Sequence, residues 1–235
     1  WTLGDYEKAR RLSQEALGLH EELDDRENIV HTLENLGCAA LGLREYPEAR
    51  HVWQKGLALS REGGRTFWTV HLLHDLAGLA NVVEDYTEGM VLSRKCLAHA
   101  QRLGSPRHMG LACRVLGEAA VGLGDLGEAR GFFHRALAAT HAAGESVRNP
   151  FILVGVAGLL AAEGETVRAV ELLALVLQHR SSWQWVKDRA AARSAELEAE
   201  LPPDVAAAAQ ERGRARDLEA AIAELIVELG GKEAA

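Results

Sequence analysis

Aromatic side chains are scarce in this 235-residue chain, at 5% of residues, and proline occurs only five times. Strand-rich folds draw on aromatic and β-branched residues in alternating runs bounded by turn signals, and no such pattern is present. Three cysteines, Cys38, Cys96 and Cys113, are too few for a disulfide framework and fit a reduced, cytoplasmic setting. No run of about 18 apolar residues exists to span a membrane, and no signal peptide is visible. Positive charge is in deficit as well: 26 Lys and Arg against 34 Asp and Glu give a formal net charge of −8. Phosphate backbones demand clustered Lys and Arg, so no nucleic-acid partner is expected. A phosphate loop of the form G-x-x-x-x-G-K-[ST] is also missing.

What the chain has is repetition. Tyr6, Tyr46 and Tyr86 lie forty residues apart, each behind an acid (Asp5, Glu45, Asp85), and Asp125 and Glu165 continue the acid series. In the same phase run Ala9, Ala49, Gly89, Ala129 and Ala169, then Leu17, Leu57, Leu97, Leu137 and Leu177. Self-similarity at a fixed period of this length marks a repeat array. Behind each acid, Tyr46, Ala49, Trp53, Gly56 and Leu57 fall at helical steps, as do Leu126, Ala129, Phe133, Ala136 and Leu137. The acid suits the helix start, where a carboxylate can cap free amides. A second helix precedes it, with rows Leu33, Leu73, Cys113, Leu153 and Leu36, Leu76, Leu116, Val156. Beside these runs a row of small residues, Gly37, Ala77, Gly117 and Ala157, which permits close helix approach. Gly64, Gly104 and Gly144 recur at helix exits, where a left-handed cap favours glycine. The expected unit is helix, short turn, helix, longer turn.

With Val30 as the first position, Leu33, Leu36, Gly37 and Ala40 followed by Ala49, Trp53 and Gly56 resemble a tetratricopeptide repeat. The usual period of that family is about 34 residues, so the surplus is expected in the turn and helix ends leading to the next unit. HEAT-type repeats have a similar length but do not explain the small-residue row. The fold class expected is all-α: a right-handed superhelical solenoid of antiparallel helix pairs with a C-terminal helical cap. The array is expected over residues 1–177 and the capping helices with a polar tail over 178–235. Trp1 leads directly into a second-type helix, from which a fragment of a longer protein is expected.

After Leu177 the period fails. A charged helix is expected near Val186–Glu200, another around Ala206–Glu211 after Pro202-Pro203, and a last one over Leu218–Leu229. The apolar stripe Leu218, Ile222, Leu225, Ile226 and Leu229 could serve the cap or dock on a partner or second copy. The closing run from Arg212 to Leu225 resembles the ends of tetratricopeptide sensor regions in bacterial STAND-class signalling NTPases. That resemblance implies an inducer- or partner-sensing role, with the nucleotide-binding domain upstream.

The tetratricopeptide resemblance also implies that the first helices line a concave groove. Carried over unit by unit, its groove positions are His31, Glu34, Asn35 and Cys38, then His71, His74, Asp75 and Asn81. Arg114 and Glu118 follow, and Phe151 supplies an apolar anchor. A protein or peptide ligand is expected there, or upstream domains of the same protein, with no cofactor. Homo-oligomerisation through the N-terminal end (Tyr6–Leu17) is the alternative. His31, His71, His74 and Asp75 could gather a metal such as zinc, but four convergent ligands are not specified, so no metal is expected. No nucleophile and base are marked, so no catalysis is expected. Scattered pairs such as Glu48 and Arg50 read as solvated helix faces.

Overall fold

The computed structural model describes residues 4–144, 149–180 and 182–231, and among these residues there are twelve helices and no strand. Seven of them build three and a half regular units: α1 (Tyr6–Glu22), α2 (Arg26–Gly42), α3 (Tyr46–Glu62), α4 (Thr66–Val82), α5 (Tyr86–Arg102), α6 (Pro106–Leu123) and α7 (Leu126–Ala142). Then come α8 (Asn149–Ala162), α9 (Thr166–Gln178), α10 (Gln184–Glu198), α11 (Pro203–Ala215) and α12 (Leu218–Gly230). Each helix from α1 to α9 packs on the next. From α2 to α10 successive even-numbered helices also pack on one another, whereas the odd-numbered helices from α1 to α9 scarcely meet. The even layer therefore lies on the concave side of a helical-repeat solenoid, and the odd layer on the convex side. No described helix is long and apolar enough to cross a membrane.

The turns correct one expectation. The link from a second-type helix to the next unit is no longer than the link inside a unit, since 23–25, 43–45, 63–65, 83–85 and 103–105 all have three residues. The surplus over the shorter repeat goes into helix length, with α1 to α5 each seventeen residues long. The forty-residue unit is thus two equal halves. Backbone conformation repeats on the half: Gly4, Asp24, Arg44, Gly64, Glu84, Gly104, Gly124, Gly144 and Gly164 all have positive φ. A left-handed residue lets the helix-exit amides turn back onto the last carbonyls. Only glycine adopts it without a Cβ penalty. Glu84→Gly and Arg44→Gly should therefore each raise stability by about 0.5–1 kcal/mol, read as a higher urea midpoint. Unchanged midpoints would show that the strain is relieved elsewhere.

The acid rule holds for aspartate and fails for glutamate. Asp5, Asp25, Asp85 and Asp125 each accept the backbone amide three residues on. Glu45 and Glu165 make no such bond. With one more methylene they reach sideways instead, Glu45 to Arg10 at 2.9 Å and Glu165 to Arg168 at 2.5 Å. Arg50 likewise ignores Glu48 and joins Glu88 of the next unit at 2.7 Å. Arg94–Glu128 (3.0 Å) and Arg130–Glu163 (2.5 Å) extend this inter-unit ladder. The part-exposed pairs contribute little each and set register more than stability, whereas Arg130–Glu163 is largely buried.

The core rests on a size match between two rows. Where a ring stands on the second helix, glycine faces it: a Cβ on Gly37 would lie 2.2 Å from Trp53, and one on Gly117 2.8 Å from Phe133. Where Ser93 or Leu173 replaces the ring, the facing residue is Ala77 or Ala157, both fully buried. Trp53 is 1% exposed and donates its indole N–H to the Glu34 carbonyl at 3.0 Å. Cys96 and Cys113 are buried as small core groups, and all three cysteines are free thiols.

The C-terminal helices do not simply extend the stack. α11 packs on α9, α10 packs on both α9 and α8, and α12 reaches back to α7. The α12 stripe is consumed in that contact, with Leu218, Ile222, Leu225 and Leu229 at 0–5% exposure. Ile226 of the stripe is only partly buried.

Candidate functional site

The concave face carries a continuous polar ladder with an aromatic end. At its N-terminal end, His31 on α2 is exposed and stacks on Trp68 of α4 at 5.0 Å. Phe67, still 45% exposed, meets Trp68 at 5.1 Å and His71 at 4.7 Å. His71 Nε2 lies 3.0 Å from His108 Nε2, and His108 Nδ1 lies 2.7 Å from Ser105 Oγ. Asn35 Nδ2 donates to the His31 carbonyl one turn earlier, at 3.2 Å.

The middle of the ladder is buried and charged. Arg114, 1% exposed, donates through Nη2 to His74 Nε2 at 3.0 Å and pairs through Nη1 with Glu118 at 2.6 Å. Since His74 Nε2 accepts, its proton sits on Nδ1, which faces Asp75 Oδ1 at 3.1 Å. Glu34, Cys38 and Asp75 bring donor atoms within 4.8 Å of one another. Burial drives the electrostatics throughout. It raises Glu34 to about 8, with Asp75 adding to the rise, and raises Asp75 to about 7 against the pull of Arg114. Two such close carboxyls titrate as a pair. Cys38 is pushed well up by burial and then by both carboxyls. Burial would raise Glu118 too, yet Arg114 and Arg189 hold it below the ordinary carboxylate range. Burial lowers His71 and His74 to about 3, with His108 assisting at the first and Arg114 at the second; His108 falls to about 4 by burial and Arg107.

His74 is committed to Arg114 and Asp75, and His71 to His108, so the expected histidines diverge. Burial raises Glu34, Cys38 and Asp75 alike, so a metal bound there would have to displace protons.

A pH dependence follows from these shifts. The depressed histidines contribute stability present above the unfolded value near 6.5 and lost as pH falls toward 3 to 4. The raised carboxyls act oppositely: their contribution is present below the unfolded value near 4 and is lost as pH rises to about 7 and about 8. Three histidines outweigh two carboxyls below pH 6.5, and above it only the carboxyls act. Stability should peak near pH 6.5 and drop by roughly 2 kcal/mol by pH 8. Glu34→Gln should flatten the alkaline limb in urea titrations; an unchanged limb would show that the pair is ionised in the fold.

Sequence reasoning placed most of its candidates on this face, with one clear exception. Asn81 sits at the end of α4 and donates to the Val115 carbonyl at 3.0 Å, while its Oδ1 occupies the space over Gly89. It ties helices together and is not available to a ligand. Phe151 is on the face but already covered, 8% exposed under the Arg114 guanidinium at 3.5 Å. Trp185 of α10 meets its ring edge-on at 4.3 Å. Arg189, one turn later, stands 5.8 Å over the same ring and 3.5 Å from Glu118. Between them Asp188 accepts from the Tyr6 hydroxyl at 3.5 Å, so α10 also reaches the first helix. Phe67, Trp68 and His108 were missed because counting from Val30 skips the first turn of each inner helix. Their signal was available, since Trp68 and His108 share the forty-residue phase. Trp185 and Arg189 had no such signal, lying past the last regular unit.

Comparison with known proteins agrees with this architecture. Residues 1–62 match a family model described as tetratricopeptide repeat. No curated protein matches the chain. Among solved structures, the crystal structure of BtubC (BKLC) from P. vanneervenii is similar at a TM-score of 0.61 and 11% identity, covering 97% of this chain and 92% of that one. At that identity the likeness is one of fold. The chain is a helical-repeat solenoid whose first units are similar to tetratricopeptide repeats.

Proposed function

We propose that this chain is a non-catalytic protein- or peptide-binding module that receives its ligand on the concave face. The observation that carries this reading is the open aromatic patch of Phe67, Trp68 and His31 beside a buried charged ladder. Aromatic anchors next to fixed charges are what interface hot spots use for affinity and register. The C-terminal resemblance noted above supports reading such a module as the ligand-sensing or scaffold part of a larger, cytoplasmic signalling protein, with a nucleotide-binding domain upstream. Peptides selected from a display library against the chain test the binding role. Binders should be lost on Phe67→Ala and His31→Glu and retained on Lys95→Glu of the outer helix α5. Binders insensitive to the first two substitutions would overturn it.

A second reading rests on α1. Leu12, Leu19 and Leu23 are 51%, 61% and 76% exposed, and α1 buries no residue. One unit later, Val52 is 8% exposed because α2 covers it. The α1 stripe is thus an apolar face on which a second copy can pack. Sedimentation should then show a concentration-dependent dimer, dissociated by Leu12→Asp with Leu19→Asp; a monomer at all concentrations excludes this.

A further inference from the structure

We infer that α10 is an internal occupant of the concave face, and that the partner this face accepts is a helix carrying an aromatic residue followed four positions later by arginine. The inference rests on the reading of that face as a protein-binding surface. α10 has two distinct faces. Val186, Ala190, Ser194 and Leu197 are buried and seat the helix in the C-terminal core with α8 and α9. Trp185, Asp188 and Arg189 point the other way, to Phe151, Tyr6 and Glu118 on three different repeat units. The second set of contacts continues the inner layer, with Trp185 packed against the core that holds Phe151. It is also what a bound peptide helix would make: an aromatic edge on an aromatic anchor and a guanidinium on a carboxylate.

The groove chemistry fits such a ligand. Glu118 on α6 stands beside the Phe151 ring of α8, so one carboxylate and one aromatic ring are offered together. Arg114 is already spent on His74 and Glu118, leaving Glu118 able to take a second guanidinium, which Arg189 supplies. The α10 contacts are also of the displaceable kind. Arg189 is 40% exposed and its pair is long at 3.5 Å, so solvent screens it. The stretch leading into α10 is extended at His179 and Trp183, and the helix has no side-chain N-cap. A short tether of this sort holds its cargo at an effective concentration on the order of millimolar, which an external helix must outcompete. Occupancy by α10 therefore reduces the apparent affinity of any partner, and release restores it.

The test uses the whole chain and a fluorescein-labelled synthetic peptide of residues 183–198. By fluorescence anisotropy, the peptide should bind the Trp185→Ala/Arg189→Glu protein at least tenfold more tightly than the unsubstituted protein. A second variant, Val186→Asp, loosens α10 from the core and should give the same gain. Peptides carrying Trp185→Ala or Arg189→Glu should bind neither, and Phe151→Ala in the protein should abolish binding. Equal affinity for all three proteins, or no binding to either variant while both remain folded by circular dichroism, overturns the inference. In that event library peptides that depend on Phe67 and His31 would leave the binding-module reading intact; loss of those as well would remove both.

Discussion

Arg114→Leu should destabilise the fold by about 3–5 kcal/mol, the largest loss expected of any polar substitution in the chain. The guanidinium is 1% exposed and serves four groups at once: Glu118, His74, the Phe151 ring and, through its field, Asp75. Leucine fills much of the volume but leaves Glu118 buried with only the longer Arg189 contact at 3.5 Å. Breaking one partner of a buried pair costs far more than replacing both. Arg114→Leu with Glu118→Leu should accordingly recover a large part of the loss. Urea unfolding followed by far-ultraviolet circular dichroism measures both. A double variant as unstable as the sum of the singles would mean that the two residues act independently.

Gly213→Val should detach the C-terminal helices. A Cβ at Gly213 would stand 2.1 Å from the Glu171 carbonyl oxygen and 2.8 Å from the Ala174 Cβ, so α11 cannot stay on α9. Backbone does not yield as a flexible side chain does, and overpacking here should cost about 3 kcal/mol. The effect should be local. Hydrogen exchange should accelerate across α11 and α12 while α2 to α6 keep their protection, because each unit packs mainly on its neighbours. Gly78→Ala makes the contrast: a Cβ there meets nothing within 4 Å, and removing glycine from a helix interior should stabilise by about 0.5–1 kcal/mol. Global unfolding of the Gly213→Val chain would show that the cap and array form one cooperative unit.

The repeat was legible because burial imposes it. Trp53 and Phe133 recur in phase with Gly37 and Gly117 since a ring and a glycine fill the same gap between two helices. The half-length period was harder to see. Its marker is a backbone conformation, and at Asp24, Arg44 and Glu84 the side chain does not announce the left-handed turn that Gly64 and Gly104 advertise. The inner-face residues could be placed by helical register, but their state could not. Whether Glu34 is solvated or sits against Asp75 depends on what covers it, and that is settled by packing across units. Asn81 shows the same limit, being on the right helix but turned to the Val115 carbonyl. Least legible was α10. Once the period ends nothing in the chain fixes its register, so its return to the groove appears only in three dimensions.

That return makes the Phe151–Trp185 contact the decisive one. A double-mutant cycle of Phe151→Ala and Trp185→Ala, read from unfolding free energies, isolates it from the packing of either residue alone. An edge-on ring pair at 4.3 Å should show a coupling of about 1 kcal/mol. Effects that add within about 0.3 kcal/mol would place α10 away from the concave face and contradict its role as the internal occupant.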